Sequence, residues 1–183
     1  MTYVKQNDLL LNKLLDYYKT NENMDRMLGI INGESRISLR IVDWFTTNFA
    51  KQKYTVYPIS TDSRFKVYNN YKLNLKAYSK KRFDPFCRWQ RITIPHTDQQ
   101  NNIKYIQTTL GQLNFFKWAL ENKVIDYIEN NYIEIENDMN NRNSTSRKRS
   151  ETTQKTRKKR EELSISASKS IKREEVEITV VFK

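Results

Sequence analysis

Leu10, Leu11, Leu14, Leu15 and Tyr18 recur at helical spacing, and with Asn7 or Asp8 to cap the first turn they predict an amphipathic helix over residues 7–19. Residues 20–34 mix turn formers with Met24, Met27, Leu28, Ile30 and Ile31, and read as a loop that touches the core. Together they make an N-terminal unit, 1–34. Ser35 then offers an N-cap to a stronger helix in which Ile37, Ile41, Trp44, Phe45 and Phe49 fall on one face. From Tyr54 the period changes to two. Tyr54–Tyr57 reads as a strand stopped by Pro58. Phe65, Val67, Tyr71, Leu73, Leu75 and Ala77 then alternate with Lys66, Lys72, Asn74, Lys76 and Tyr78, which predicts a strand pair with Asn69–Asn70 as turn or bulge.

A further strand, Trp89 to Ile94, is expected to end at Pro95, and a polar turn at residues 97–102 leads into Ile103–Ile106. Thr109 with Gln112 three residues on has the capping-box pattern, and Leu113, Phe116, Leu120, Val124, Tyr127 and Ile128 follow along one helical face. Residues 129–139 either continue that helix or break it at Asn130–Asn131. The predicted fold class is therefore α+β, with an antiparallel sheet from residues 54 to 106 packed by two or three amphipathic helices, in a core domain over 35–139. Residues 140–174 hold almost no large apolar side chain and are expected to be a disordered basic tail. Val176, Ile178, Val180 and Phe182 alternate again, predicting a strand over 175–183 that returns to a sheet edge or adds to a partner's sheet.

Composition alters this picture in one respect, the placement of charge. The formal net charge is +12, and residues 66–91 carry 8 Lys+Arg against 1 Asp+Glu while residues 142–183 carry 13 against 6. Basic excess gathered in these two stretches points to a polyanionic partner, because each cation set against a phosphate releases condensed counterions. In the first stretch Lys66, Lys72 and Lys76 are expected on one sheet face, with Lys80, Lys81, Arg82, Arg88 and Arg91 crowding its exit. Tyr78 and Trp89 lie among them, and aromatic rings beside cations suit nucleic acid, above all single strands. A solvated strand face guarded by lysines has the same composition. In the tail, Arg147, Lys148 and Arg149 and then Arg157, Lys158, Lys159 and Arg160 read as a nucleic-acid-binding arm, a nuclear-import signal or a solvating linker.

Chemistry of other kinds finds little support. One cysteine excludes an intramolecular disulfide, and Cys87 with the single His96 supplies no zinc ligand set, so a reducing compartment, no metal and no cofactor are expected. Arg82 and Arg88 flank Cys87 and would favour a thiolate with His96 as its base, but a lone cysteine among aromatics is ordinarily a small buried hydrophobe, and His96 after Pro95 reads as a turn residue. Asp126, Glu129, Glu134, Glu136 and Asp138 cluster along a predicted helix, where they serve solubility or dock the basic tail. Nothing marks them as converging on a metal. The short apolar run Leu9–Leu11 is too brief for a signal peptide and no stretch approaches a membrane span, so a non-membrane, intracellular protein is expected.

Three stretches, SRISLRIVDWF (Ser35 to Phe45), FDPFCRW (Phe83 to Trp89) and TTLGQLNFFKWAL (Thr108 to Leu120), resemble a family of small uncharacterised proteins of nucleocytoplasmic large DNA viruses, the giant viruses, over about residues 35–139. The resemblance implies a place inside an infected host, in a cytoplasmic viral factory or nucleus, or in the virion, and it carries over no catalytic or binding residue. The expected function is non-catalytic, weakly sequence-selective binding of DNA or RNA. The alternatives are a virion structural or assembly protein that docks through its aromatic surface and C-terminal strand, and a small transcription accessory subunit.

Overall fold

A computed structural model describes residues 6–19, 21–61, 63–97 and 103–152, with side chains through residue 142 apart from those of Asn21 and Thr97. In chain order the elements are α1 (Gln6–Tyr17), α2 (Asn21–Asn32), α3 (Leu39–Trp44), a π-helical segment (Phe45–Phe49), α4 (Ala50–Gln52), β1 (Val56–Ser60), β2 (Ser63–Lys66), α5 (Val67–Arg82), β3 (Arg91–Thr97), β4 (Ile103–Thr109), α6 (Leu110–Glu121), α7 (Val124–Asn130) and α8 (Tyr132–Thr152). The α+β class holds. The single sheet does not: β1 pairs β2 and β3 pairs β4, both antiparallel, in two separate sheets with α5 between them in sequence.

The largest departure is α5, which occupies the stretch expected to be strand. Tyr71 and Leu75 satisfy a period of two and a period of 3.6 alike, so the alternation was ambiguous. Leu73 separates the two readings: a strand would bury it, and it is 66% exposed, while Val67, Tyr71, Leu75 and Tyr78 line the packed face. Asn69–Asn70 accordingly lies inside the helix. There Asn74 donates to the Asn70 carbonyl and side chain, and the Trp118 indole donates to Asn70 Oδ1 at 2.6 Å.

Residues 21–32 are likewise helix rather than loop. Met24, Met27 and Ile30 are buried at intervals of three, and Gly33, at φ 75°, ends the helix in a left-handed turn where the Glu34 and Ser35 N–H groups donate to the Gly29 carbonyl. The next helix is capped by Ser38, whose Oγ accepts from Ile41 N, while Ser35 Oγ accepts from Ile37 N. Strands run through both prolines expected to stop them, with Pro58 opposite Arg64 and Pro95 opposite Tyr105. In a two-stranded sheet every strand has an open edge, and a proline is tolerated where its nitrogen faces that edge or a bulge; the ladder does shift between Pro58 and Ser60.

Helix α6 lies at the centre. Leu110, Leu113, Phe115, Phe116, Trp118, Ala119 and Leu120 are all buried, so it is enclosed on nearly every side rather than amphipathic. Rings of Tyr71, Phe83, Phe115 and Trp118 meet around it with centroids 5.3–6.5 Å apart. The run expected as one helix through Ile128 breaks first at Lys123, whose φ is 54°, and again at Asn131, after which α8 buries Ile135 and Met139. Its backbone stays helical to Thr152, into the segment expected to be disordered, because once a helix is nucleated on a core each further residue adds a hydrogen bond at little cost. The rest of that tail and the strand expected over 175–183 lie outside the described residues.

The helical reading of α5 has a direct test. Tyr71→Ala should cost about 3 kcal/mol, whereas Leu73→Gln should shift stability by less than about 0.5 kcal/mol in urea denaturation. Comparable losses at both positions would contradict the helix.

Candidate nucleic-acid interface

Lys72 and Lys76 are exposed and one turn apart on α5, on the stripe that begins at the half-buried Tyr68. Lys51 reaches over the Tyr68 ring at 5.8 Å, and Lys66, at the N-cap, lies 6.0 Å from the ring of the exposed Tyr54. This is a helix surface rather than the expected sheet face. Tyr78 is not on it as an open ring, because it packs against the core and stacks on Phe83 with centroids 6.3 Å apart.

The stripe is redirected at its end. Ser79 sits at φ 60°, ψ 167°, a backbone region that side-chain-bearing residues rarely adopt, so Lys80, Lys81 and Arg82 leave α5 in a new direction. The following loop, 83–90, is fastened to the start of α6. Thr109 Oγ1, besides capping α6 through Gln112 N, donates to the Cys87 carbonyl; Gln112 Nε2 donates to Pro85 O, Asn114 Nδ2 to Arg82 O, and Asp84 N to Gly111 O. A Cβ on Gly111 would stand 2.8 Å from both Cβ and Sγ of Cys87, so only glycine admits this approach. The fastened loop presents Arg88 and Trp89 to solvent, with Lys81 Nζ 4.8 Å from the Trp89 ring, and Arg91 begins β3.

Lys72, Lys76, Arg88 and Arg91 have no carboxylate partner among the described residues. Lys13, Arg36, Lys51, Arg64, Lys66 and Lys123 share that condition among the described residues, while several other cations are paired. Arg26 meets Asp126 and Glu129, Lys53 meets Glu134, Lys117 meets Glu121, and Arg142 meets Asp138, which also accepts from the Trp44 indole. The acidic cluster read from the sequence is thus largely engaged with the core's own cations. Arg147, Lys148 and Arg149 fall on the helical backbone of α8, and Arg157, Lys158, Lys159 and Arg160 lie outside the described residues.

Neither residue of the thiolate pairing is placed for it. Cys87 is buried with its thiol directed at the Lys81 carbonyl, 3.4 Å away, and His96 is a buried strand residue rather than a turn, its Nε2 2.8 Å from Asp25 Oδ1. Among the described residues no group of three His, Cys, Asp or Glu is placed to hold a metal ion, and no helix is long and apolar enough to cross a membrane.

What the sequence reading missed is a second carboxylate pair. Asp43, at the end of α3, is pushed up to about 6, first by burial and then by the charge of Asp84, against the pull of Lys80. Asp84 is also raised by burial, although its carboxylate accepts from Phe86 N at 2.7 Å and Lys80 opposes the shift. Directly after Asp43 the helix widens into its π-helical turn, where the Thr46 and Thr47 hydroxyls donate to the Asp43 carbonyl. Only the tertiary fold joins these two residues, 41 positions apart, so no local spacing could have flagged them.

A model of a family of unknown function (DUF7197) matches residues 2–181. An uncharacterized protein of Acanthamoeba polyphaga mimivirus is 43% identical over 139 residues, 74% of this chain and 50% of the relative, so the chain spans about half the length of that curated relative. The likeness to a giant-virus protein that the three motif stretches implied is thereby found. No solved structure matches the chain.

The buried carboxyl sets a pH dependence. A raised folded-state pKa means that the native protein binds the Asp43 proton more tightly than the unfolded chain, so its contribution to stability is complete below about pH 4 and is lost as pH rises through about 6. Asp43→Asn should match the wild type at pH 4 and exceed it by up to about 3 kcal/mol at pH 7 in denaturant titrations. A constant difference across that range would refute the assignment.

Proposed function

We propose that this chain, which belongs to the family of unknown function DUF7197, is a non-catalytic nucleic-acid-binding protein that holds phosphates against Lys72 and Lys76 of α5 and against Arg88 and Arg91 of the adjoining loop and strand. The observation that carries the reading is that these exposed cations, unpaired with any carboxylate among the described residues, fall in the one stretch of the folded part, residues 66–91, where 8 Lys+Arg stand against 1 Asp+Glu. An exposed ion pair adds at most about 1 kcal/mol to a fold, whereas several unpaired cations gathered in one stretch repel one another and attract an external anion. Exposed rings beside cations, Tyr54 with Lys66 and Trp89 with Lys81, favour nucleic acid over a simple acidic peptide.

Contacts of this kind go to phosphate and position the strand without reading its sequence, so binding would be weakly selective. The basic residues from Arg147 to Arg160 would extend the same electrostatic contact. A viral factory or the nucleus of an infected cell, where such a protein would meet DNA and RNA beside viral transcription or structural proteins, is the setting that fits the viral relative.

The test is fluorescence anisotropy of labelled DNA and RNA, single-stranded and duplex, over a range of salt concentration. Lys72→Ala with Lys76→Ala should weaken binding to all of them and lower the slope of log K against log salt by about 1.4 to 1.8, from two fewer phosphate contacts at ~0.7 to 0.9 each. Affinity and slope equal to wild type would overturn the reading.

A further inference from the structure

Among the described residues the β3–β4 hairpin leaves one face open except at Thr109, opposite Arg91, which is buried at the cap of α6. In its register Ile92, Ile94 and His96 stand opposite Thr108, Ile106 and Lys104, and this side packs inward: Ile94, His96 and Thr108 are buried, and Ile92 and Ile106 are half-buried against the core. The other side is formed by Arg91, Thr93 and Pro95 on β3 with Ile103, Tyr105 and Gln107 on β4, and all six are exposed. Tyr105 is 74% exposed and has no ring contact among the described residues, whereas the core aromatics pair with one another. Trp89, two residues before the strand, also meets no other ring and is 55% exposed.

We infer that this open face, from Arg91 to the Pro95–Tyr105 rung, together with the exposed Trp89 ring just before the strand, is a stacking platform for unpaired bases, so that the nucleic acid held by the cations of α5 and the loop is single-stranded. The inference rests on the reading of the chain as a nucleic-acid-binding protein and adds the class of strand. Two observations favour this occupant over an apolar protein surface. Among the described residues the face carries no carboxylate, and its one charged residue, Arg91, follows the open cations Lys81 and Arg88 in the chain. Arg91 and the Tyr105 rung are four strand residues apart, about 13 Å at ~3.3 Å per residue, which suits a short run of nucleotides rather than one base. A duplex keeps its base faces inside its own stack and offers none to Tyr105, whereas a single strand can lay bases on exposed rings while its phosphates follow the cations.

Anisotropy with the full chain compares a labelled single-stranded oligonucleotide with the duplex of the same sequence. Tyr105→Ala and Trp89→Ala should each weaken single-strand binding by about 5- to 20-fold, leave duplex affinity and both salt slopes unchanged, and keep the wild-type melting temperature, since both side chains are exposed. Tyr105→Phe, which retains the ring, should restore single-strand binding. Single-strand affinity of Tyr105→Ala within about two-fold of wild type, or an equal loss for duplex, overturns the platform and points to a protein partner for this face. If that happens while the Lys72 and Lys76 variant still loses affinity and slope, only this inference falls. If the wild type binds neither strand, the nucleic-acid reading falls with it.

Discussion

A helix enclosed on nearly every side must find partners for its terminal N–H groups and polar side chains inside the protein, and α6 meets that requirement with the loop at 83–90. Thr109, Gln112 and Asn114 all donate to carbonyls between Arg82 and Cys87, and Gly111 lets the two backbones touch. The same bonds that satisfy the buried helix fix the course of the loop. Arg88 and Trp89 therefore project from a rigid support although they lie in irregular backbone, and the proposed binding surface inherits its order from the core.

Around this junction the fold holds features that do not favour stability. Ser79 adopts a costly backbone conformation, α3 is widened by a π-helical turn, and Asp43 and Asp84 are partly buried near one another with Lys80 between their fields. The three stretches that resemble giant-virus proteins contribute Asp43, Asp84 and the start of α6, so the regions that carry the resemblance meet in space.

Much of this was legible along the chain. The α+β class and the Thr109 cap with Gln112 follow from local rules that tertiary packing did not override. Misreadings arose where two periods fit the same residues, as in α5, or where glycine and asparagine suggested turns inside the Met24–Met27–Ile30 face of α2. Proline was taken as a stop because sequence does not reveal whether a strand is central or at an edge. For the proposed binding surface, the cations Lys72, Lys76, Arg88 and Arg91 were visible from charge alone. Tyr78 was misassigned because burial is not a property of a residue type, and Tyr105 was missed because its exposure depends on which side of the β3–β4 hairpin meets the core.

Pro95 has an effect that reaches beyond its own hairpin. The ladder between β3 and β4 is unbroken around it, so its missing donor falls on the outer margin of β3, where an approaching chain would find a gap and a ring in its path. Extension by a neighbour's main chain, the first step towards cross-β stacking, is hindered on that side even though the hairpin is open to water. A neighbour that docks along β3 must rely on side chains, and two copies of the molecule would be kept from zipping together through that margin.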